Sequence, residues 1–206
     1  MRYTLTAVWV LAVACGGAPK NTASDSAAAV AGLRDSLITM GTTDQADRND
    51  FGVAAGRNDT TYMMRMMRGD SARTRWLQAF VASRGWPRRS TYGDSAVKAA
   101  WLIVQHSPDY AFQEQTLPLL EDAARDGEVS RADVAMLADR VAVHHGERQR
   151  YGTQFSLHDG QFVADPIADL KALDSLRSTA GLPPMKEYVE MMAKVYKMPV
   201  QWPPRP

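Results

Sequence analysis

Apolar residues along this chain recur mostly at helical spacing. From about Asp25 to Arg48, Leu33, Leu37 and Met40 fall on one face and predict an amphipathic helix, weakened in its middle by Gly41-Thr42-Thr43. The stretch Gly52 to Asp59, rich in Gly, Asn and Asp, predicts a loop or a poorly formed turn. After Tyr62, Met63, Met66 and Met67, the pair Gly69-Asp70 predicts a break, with Asp70 or Ser71 capping a new helix. That helix carries Trp76, Leu77, Phe80 and Val81 on one face and stops at Gly85-Trp86-Pro87. The next starts at Asp94 or Ser95 and runs through Ala99-Ala100-Trp101-Leu102-Ile103-Val104. Six apolar residues in a row leave it no polar face, so it is expected at the centre of the fold.

Ser107-Pro108 predicts a further helix start, with Phe112, Thr116, Leu119, Leu120 and Ala123 as its buried stripe. Pro118 is expected to kink or restart it, and Gly127 to end it. Ser130 with Asp133 approximates a capping box for a helix from Arg131 to about His144. Gln154-Phe155-Ser156-Leu157 and Gln161-Phe162-Val163 flank Asp159-Gly160, the pattern of a type I′ hairpin. Helices over Ala168–Thr179 and Pro184–Tyr196 close the pattern, and the proline-rich end from Met198 to Pro206 is expected to be irregular. The expected architecture is mainly α: a single helical domain with one small β-hairpin.

The N-terminal segment breaks this pattern. A short basic start, an apolar run too short to span a bilayer, and small residues before Cys15 read as a secretory signal. Leu11-Ala12-Val13-Ala14-Cys15 resembles the bacterial lipobox, with Ala12 where Leu is commoner. That resemblance implies cleavage after residue 14 and lipidation of Cys15, which would anchor the protein outside the cytoplasm. Gly16 after the cysteine implies the outer membrane in a cell that has one. The expected layout is therefore a signal peptide over residues 1–14, a lipidated cysteine and flexible tether over 15–24, a helical domain over 25–197 and a tail over 198–206.

Composition narrows the function classes. The chain has 206 residues, 45% of them hydrophobic, and a net charge of +1, which gives little long-range attraction for nucleic acid. Loss of Arg2 with the signal would leave 23 basic residues against 23 acidic ones. A single cysteine excludes an intrachain disulfide and any zinc site built on several thiolates. There is no Gly-x-Ser-x-Gly elbow, no glycine-rich phosphate loop and no His-Glu-x-x-His motif, so neither a cofactor nor a metal is expected. The adjacent His144 and His145 diverge by about 100° on a helix and are badly placed to share an ion. Met63, Met64, Met66 and Met67 could hold Cu(I) through thioethers, but this spacing is also that of ordinary core packing.

The polar landmarks, in order, are Asp44-Gln45-x-x-Arg48, Gly85-Trp86-Pro87, Trp101-Leu102-Ile103-Val104-Gln105-His106, Asp139-Arg140 and Tyr151-Gly152-Thr153-Gln154. Pro166-Ile167, Gly181-Leu182-Pro183 and Tyr188 follow. From Asp44 to Tyr188 this order resembles the bacterial domain-of-unknown-function family 6624. The resemblance bears on fold and implies no activity.

Several of these residues could carry chemistry. His106 ends an apolar helix, where the dipole favours an imidazolium, and could serve as a general acid or base or simply cap its own helix. Asp139 and Arg140 interrupt an otherwise apolar helix. They read either as an interhelix ion-pair network or as a carboxylate orienting a histidine beside an anion clamp. Asp44 and Arg48 share a face at i, i+4, with Gln45 beside them, and could join His106 and Gln105 in one pocket. Gly152 permits an unusual backbone angle, and Tyr151, Thr153 and Gln154 could bind a ligand or support a turn. Two readings result: a lipid-anchored envelope protein whose polar pocket binds a small polar ligand or another envelope protein, and an envelope hydrolase using His106 as general acid or base. The membrane is an expected partner through the anchor, and nucleic acid is not.

Overall fold

A computed structural model describes residues 26–203; the lipobox, the tether and Cys15 lie outside them. The chain order is α1 (Ala27–Ala46), α2 (Phe51–Gly56), α3 (Thr60–Arg84), α4 (Arg89–Tyr92), α5 (Asp94–Gln105), α6 (Tyr110–Arg125), α7 (Arg131–His144), β1 (Phe155–His158), β2 (Gln161–Ala164), α8 (Leu173–Ala180), α9 (Met185–Tyr196) and β3 (Val200–Gln201). The fold is mainly α with a small sheet, as the periodicity predicts.

Four helix starts carry side-chain caps. Ser26, Asp59, Asp109 and Ser130 each accept a hydrogen bond from a backbone N–H two or three residues on, satisfying donors that a first turn leaves free. Asp109, not Ser107, caps α6, so Pro108 lies before the helix rather than at its first position. Pro118 sits inside a continuous α6. Its side chain and Glu114 are exposed, so water can reach the carbonyl that loses its donor.

The region expected as a loop contains α2. Its Phe51 packs on the rings of Phe162 and Tyr196 at 6.4 and 6.2 Å, and this tertiary burial overrides weak local propensity. The break expected at Gly69-Asp70 is also absent, and α3 runs through it. Asp70 caps nothing because ion pairs to Arg48 and Arg73 draw its carboxylate sideways. A side chain at Gly69 would crowd the Arg73 guanidinium and the Asp47 carboxylate, each 3.1 Å from its would-be Cβ.

α5 is the central helix. Ala96, Val97, Ala99, Ala100, Trp101, Ile103 and Val104 are buried, with Leu37 of α1, Leu77 and Phe80 of α3, Phe112 and Leu120 of α6 and Leu137 of α7 packed in the same core. A second core gathers Phe162, Ile167, Leu173, Met185, Tyr188, Met192 and Met198. Met136 of α7 touches both. The hairpin turns at Asp159 and Gly160, both at positive φ as a type I′ turn requires. The tail differs from its expected irregularity: Val200 and Gln201 add a parallel strand to β2, burying Met198 behind them.

α1 and α5 are in close contact at Gly41, where an added Cβ would lie 2.6 Å from the Ala99 Cβ. The same helix offers a control, because Gly32 has nothing within 4 Å of its would-be Cβ. Gly41→Ala should lower stability by about 1–3 kcal/mol through overpacking, and Gly32→Ala should raise it by about 0.5–1 kcal/mol through helix propensity. Urea unfolding of the two variants checks this. Equal effects would contradict the α1–α5 contact.

Candidate functional site

The last turn of α1 carries Asp44, fully buried and three residues beyond the Gly41 contact. α5 ends at Gln105, and His106 is its C-cap. The close approach of the two helices brings these ends together. The Asp44 carboxylate lies 2.9 and 3.1 Å from His106 Nδ1 through its two oxygens. It also accepts from Arg48 Nη1 at 2.8 Å and from the Gln45 amide at 2.9 Å. A buried carboxylate requires such partners.

Behind this pair stands an ionic lattice joining α1 to α3. Arg48 Nη2 donates to Asp70 at 2.8 Å, and Arg73 donates to Asp70 at 2.8 Å and to Asp47 at 2.9 Å. Asp44, Asp47 and Asp70 therefore face Arg48 and Arg73, three carboxylates against two guanidinium groups. Tyr62 closes the edge by donating its hydroxyl to the Asp47 carbonyl.

The third cation is Arg140, on α7. The Gln105 amide oxygen accepts from Arg140 Nε at 2.8 Å and from Nη2 at 3.3 Å. Among the described residues no carboxylate pairs with Arg140. Its Nη1 has no hydrogen-bond partner there and is not sealed from water. His106 is in the same state on its far side: Nε2 is unpartnered among the described residues, and the side chain is 21% exposed.

Burial pulls the His106 pKa below its ordinary 6.5, the charges of Arg48 and Arg140 pull it further, and the Asp44 contact only partly offsets them. The imidazole is thus neutral at physiological pH. This reverses the expectation from the helix dipole, because two cations and desolvation outweigh a helix end. With Asp44 accepting from Nδ1–H, the open nitrogen is the basic Nε2. The Asp44 carboxyl would be raised by burial, but His106, Arg48 and Gln45 outweigh that and hold it below 3.8. Burial likewise lowers the pKa of Arg140, with Tyr110, Tyr196 and Tyr188 among the groups that act on it.

The structure thus groups Asp44, Gln45, Arg48, Gln105, His106 and Arg140, and leaves the other candidates elsewhere. Asp139 does not orient the histidine. Its carboxylate accepts from the backbone N–H groups of Arg150, Tyr151 and Thr153 and from the Thr153 hydroxyl, so it organises the loop before β1. Burial raises its pKa, with those hydrogen bonds pulling the other way. Gln154 donates to the Met136 carbonyl and to Thr153 Oγ1, and the Tyr151 carbonyl accepts from Arg177. Gly152 has φ of 65°, and a Cβ there would press on Ile167 and Met185. These contacts are architectural.

Sequence reasoning missed Asp47, Asp70, Arg73 and Arg177. Arg177 is fully buried, donates to the Pro183, Tyr151 and Gly152 carbonyls and lies over the Tyr188 ring at 4.7 Å. Its place on the mostly polar α8 carries no signal of burial. Arg73 was legible only as one of several arginines on α3.

His144 stacks on Tyr110 with ring centroids 3.7 Å apart, while His145 Nε2 lies 3.6 Å from Glu114. Among the described residues no three His, Cys, Asp or Glu side chains are grouped to hold a metal ion, and no helix is long and apolar enough to cross a membrane. A groove of about 730 Å³ between α6, α7 and α8 is lined by residues such as Arg131, Ala138 and Arg148, away from His106.

A family model described as "Family of unknown function (DUF6624)" matches residues 31–201, a span that contains the whole cluster. No curated protein and no solved structure matches the chain.

A base that binds its proton less readily when folded leaves the unfolded chain the stronger proton binder between the two pKa values. Stability therefore rises with pH across that window. The His106 contribution is complete above about 6.5 and is lost as pH falls from there to the lowered folded value. Denaturant unfolding from about pH 8 to about pH 5 should show this slope in the wild type and a flatter one in His106→Gln. Identical slopes would contradict the assigned environment of His106.

Proposed function

We propose that this chain, which belongs to the family of unknown function DUF6624, is a ligand-binding domain whose site is the polar face formed by Arg48, Gln105, His106 and Arg140. The ligand is a small polar anion. The observation that carries this reading is Arg140: a largely desolvated cation with a glutamine oxygen as its one hydrogen-bond partner and no carboxylate partner among the described residues. Unpaired buried charge is costly, and an anion bound from solution would relieve that cost.

The second reading, hydrolysis with His106 as general acid or base, has its own supporting observation. Asp44 occupies Nδ1 and leaves a neutral imidazole with Nε2 open, the arrangement needed to take a proton from water. The described residues place no hydroxyl or thiol nucleophile on His106, so this chemistry would use water directly.

The location we propose is the bacterial envelope, through a lipidated Cys15; its support is the Leu11-Ala12-Val13-Ala14-Cys15 sequence. Mass spectrometry of the mature N-terminus tests it, a non-acylated terminus being the contrary result.

Thermal unfolding with a panel of sulfate, phosphate and carboxylate salts tests the binding reading. A ligand at a hundred times its Kd stabilises the native state by about 2.7 kcal/mol, so at least one anion should raise the Tm of the wild type and leave Arg140→Gln unmoved. The same shift in both proteins would contradict it. Turnover of nitrophenyl esters by the wild type and its loss in His106→Gln would favour the second reading.

A further inference from the structure

We propose that the ligand is an organic monocarboxylate, bound end-on by the Arg140 guanidinium, and that its binding places a proton on His106. This rests on the anion-binding reading above and names the ligand class and the coupling.

The Arg140 guanidinium offers two edges with parallel N–H bonds: a side edge from Nε and Nη2, and an end edge from Nη1 and Nη2. Gln105 occupies the side edge through Nε and Nη2. The end edge is unpartnered among the described residues and reaches water at Nη1. Two parallel donors match the two oxygens of a carboxylate.

Arg48 and Arg73 are matched by Asp44, Asp47 and Asp70, and Arg140 brings the cluster to three positive and three negative charges with His106 neutral. A monoanion would leave one net negative charge, and one proton on Nε2 cancels it. A dianion would leave a charge that no further group in the cluster titrates to remove.

Asp44 and Arg48 of α1 face His106. Tyr110 on α6 and Tyr188 and Tyr196 on α9 act on Arg140. An anion beside Arg140 offsets one of the two cationic charges that disfavour the imidazolium, Arg48 being the other, while Asp44 continues to favour it. Tyr196 acts on Arg140 and packs with Phe51 and Phe162; in this proposal those rings would face the carbon body of the ligand, which an inorganic ion lacks.

The test uses the folded domain with acetate and benzoate as probes and methyl phosphate and inorganic phosphate as competitors. Binding is followed by NMR of the Arg140 side-chain N–H groups and the His106 ring. Carboxylate affinity should rise by up to about tenfold per pH unit on acidification through the window between the free and bound His106 pKa values. Arg140→Lys keeps the charge but removes the fork, and should weaken benzoate about tenfold or more. His106→Gln should still bind benzoate but lose the pH dependence. Carboxylate binding without proton uptake would overturn the proposal. So would phosphate binding in preference to carboxylate, which would leave the anion-binding reading standing. If no anion perturbs Arg140, both fall.

Discussion

A fully buried carboxylate at the end of α1 sets the terms for this fold. Asp44 is sealed from water, yet its neighbours hold it ionised, and the partners that make this tolerable come from three helices. Arg48 lies one turn along α1, Arg73 stands on α3, and His106 caps α5. Removing either arginine would strand charge in a desolvated place, which is far costlier than losing an exposed pair. The close contact at Gly41 and Ala99 brings the two helix ends within reach of each other. Packing and electrostatics therefore act on the same few residues.

The two buried polar networks differ in whether their open groups reach water. Around Asp139 and Gln149 the chain closes on itself. Carboxylate and amide groups meet the loop's own backbone N–H and carbonyl groups, and Arg177 ties that loop to α8, its Nη2 left unpartnered but sealed from water. Such a network stabilises a conformation and offers little to a ligand. Around His106 and Arg140 donors and acceptors remain open: Nε2 on one side and a guanidinium end edge on the other. Open hydrogen-bonding capacity that reaches water beside desolvated charge is what makes this face the candidate site.

Much of the scaffold was legible in the sequence. The apolar run from Ala99 to Val104 marked the central helix, Ser130 with Asp133 marked the start of α7, and Asp159-Gly160 marked the hairpin. These signals are local, so a short window contains them. Where tertiary contacts overrode local propensity, the reading differed. α2 forms because Phe51 finds Phe162 and Tyr196, α3 continues through Gly69 because Asp70 is drawn into ion pairs, and the tail pairs with β2. The same divide runs through the site. Asp44, Arg48, Gln105, His106 and Arg140 stood out one by one, as polar residues on apolar helices. Which carboxylate meets the imidazole depends on helix packing across 62 residues of chain, so Asp139 and Asp44 could not be ranked by spacing. Arg73 and Arg177 carried no visible mark, because burial of an arginine is decided by its partners.

The central claim is that Asp44 holds His106 as a neutral imidazole protonated on Nδ1, with Nε2 open. Long-range ¹H–¹⁵N NMR of the histidine rings, followed through a pH titration, measures this directly. The account predicts an Nδ1–H tautomer for His106, a pKa below the ordinary 6.5, and loss of the tautomer preference in Asp44→Asn. An Nε2–H tautomer, or a His106 pKa above 6.5, would contradict it.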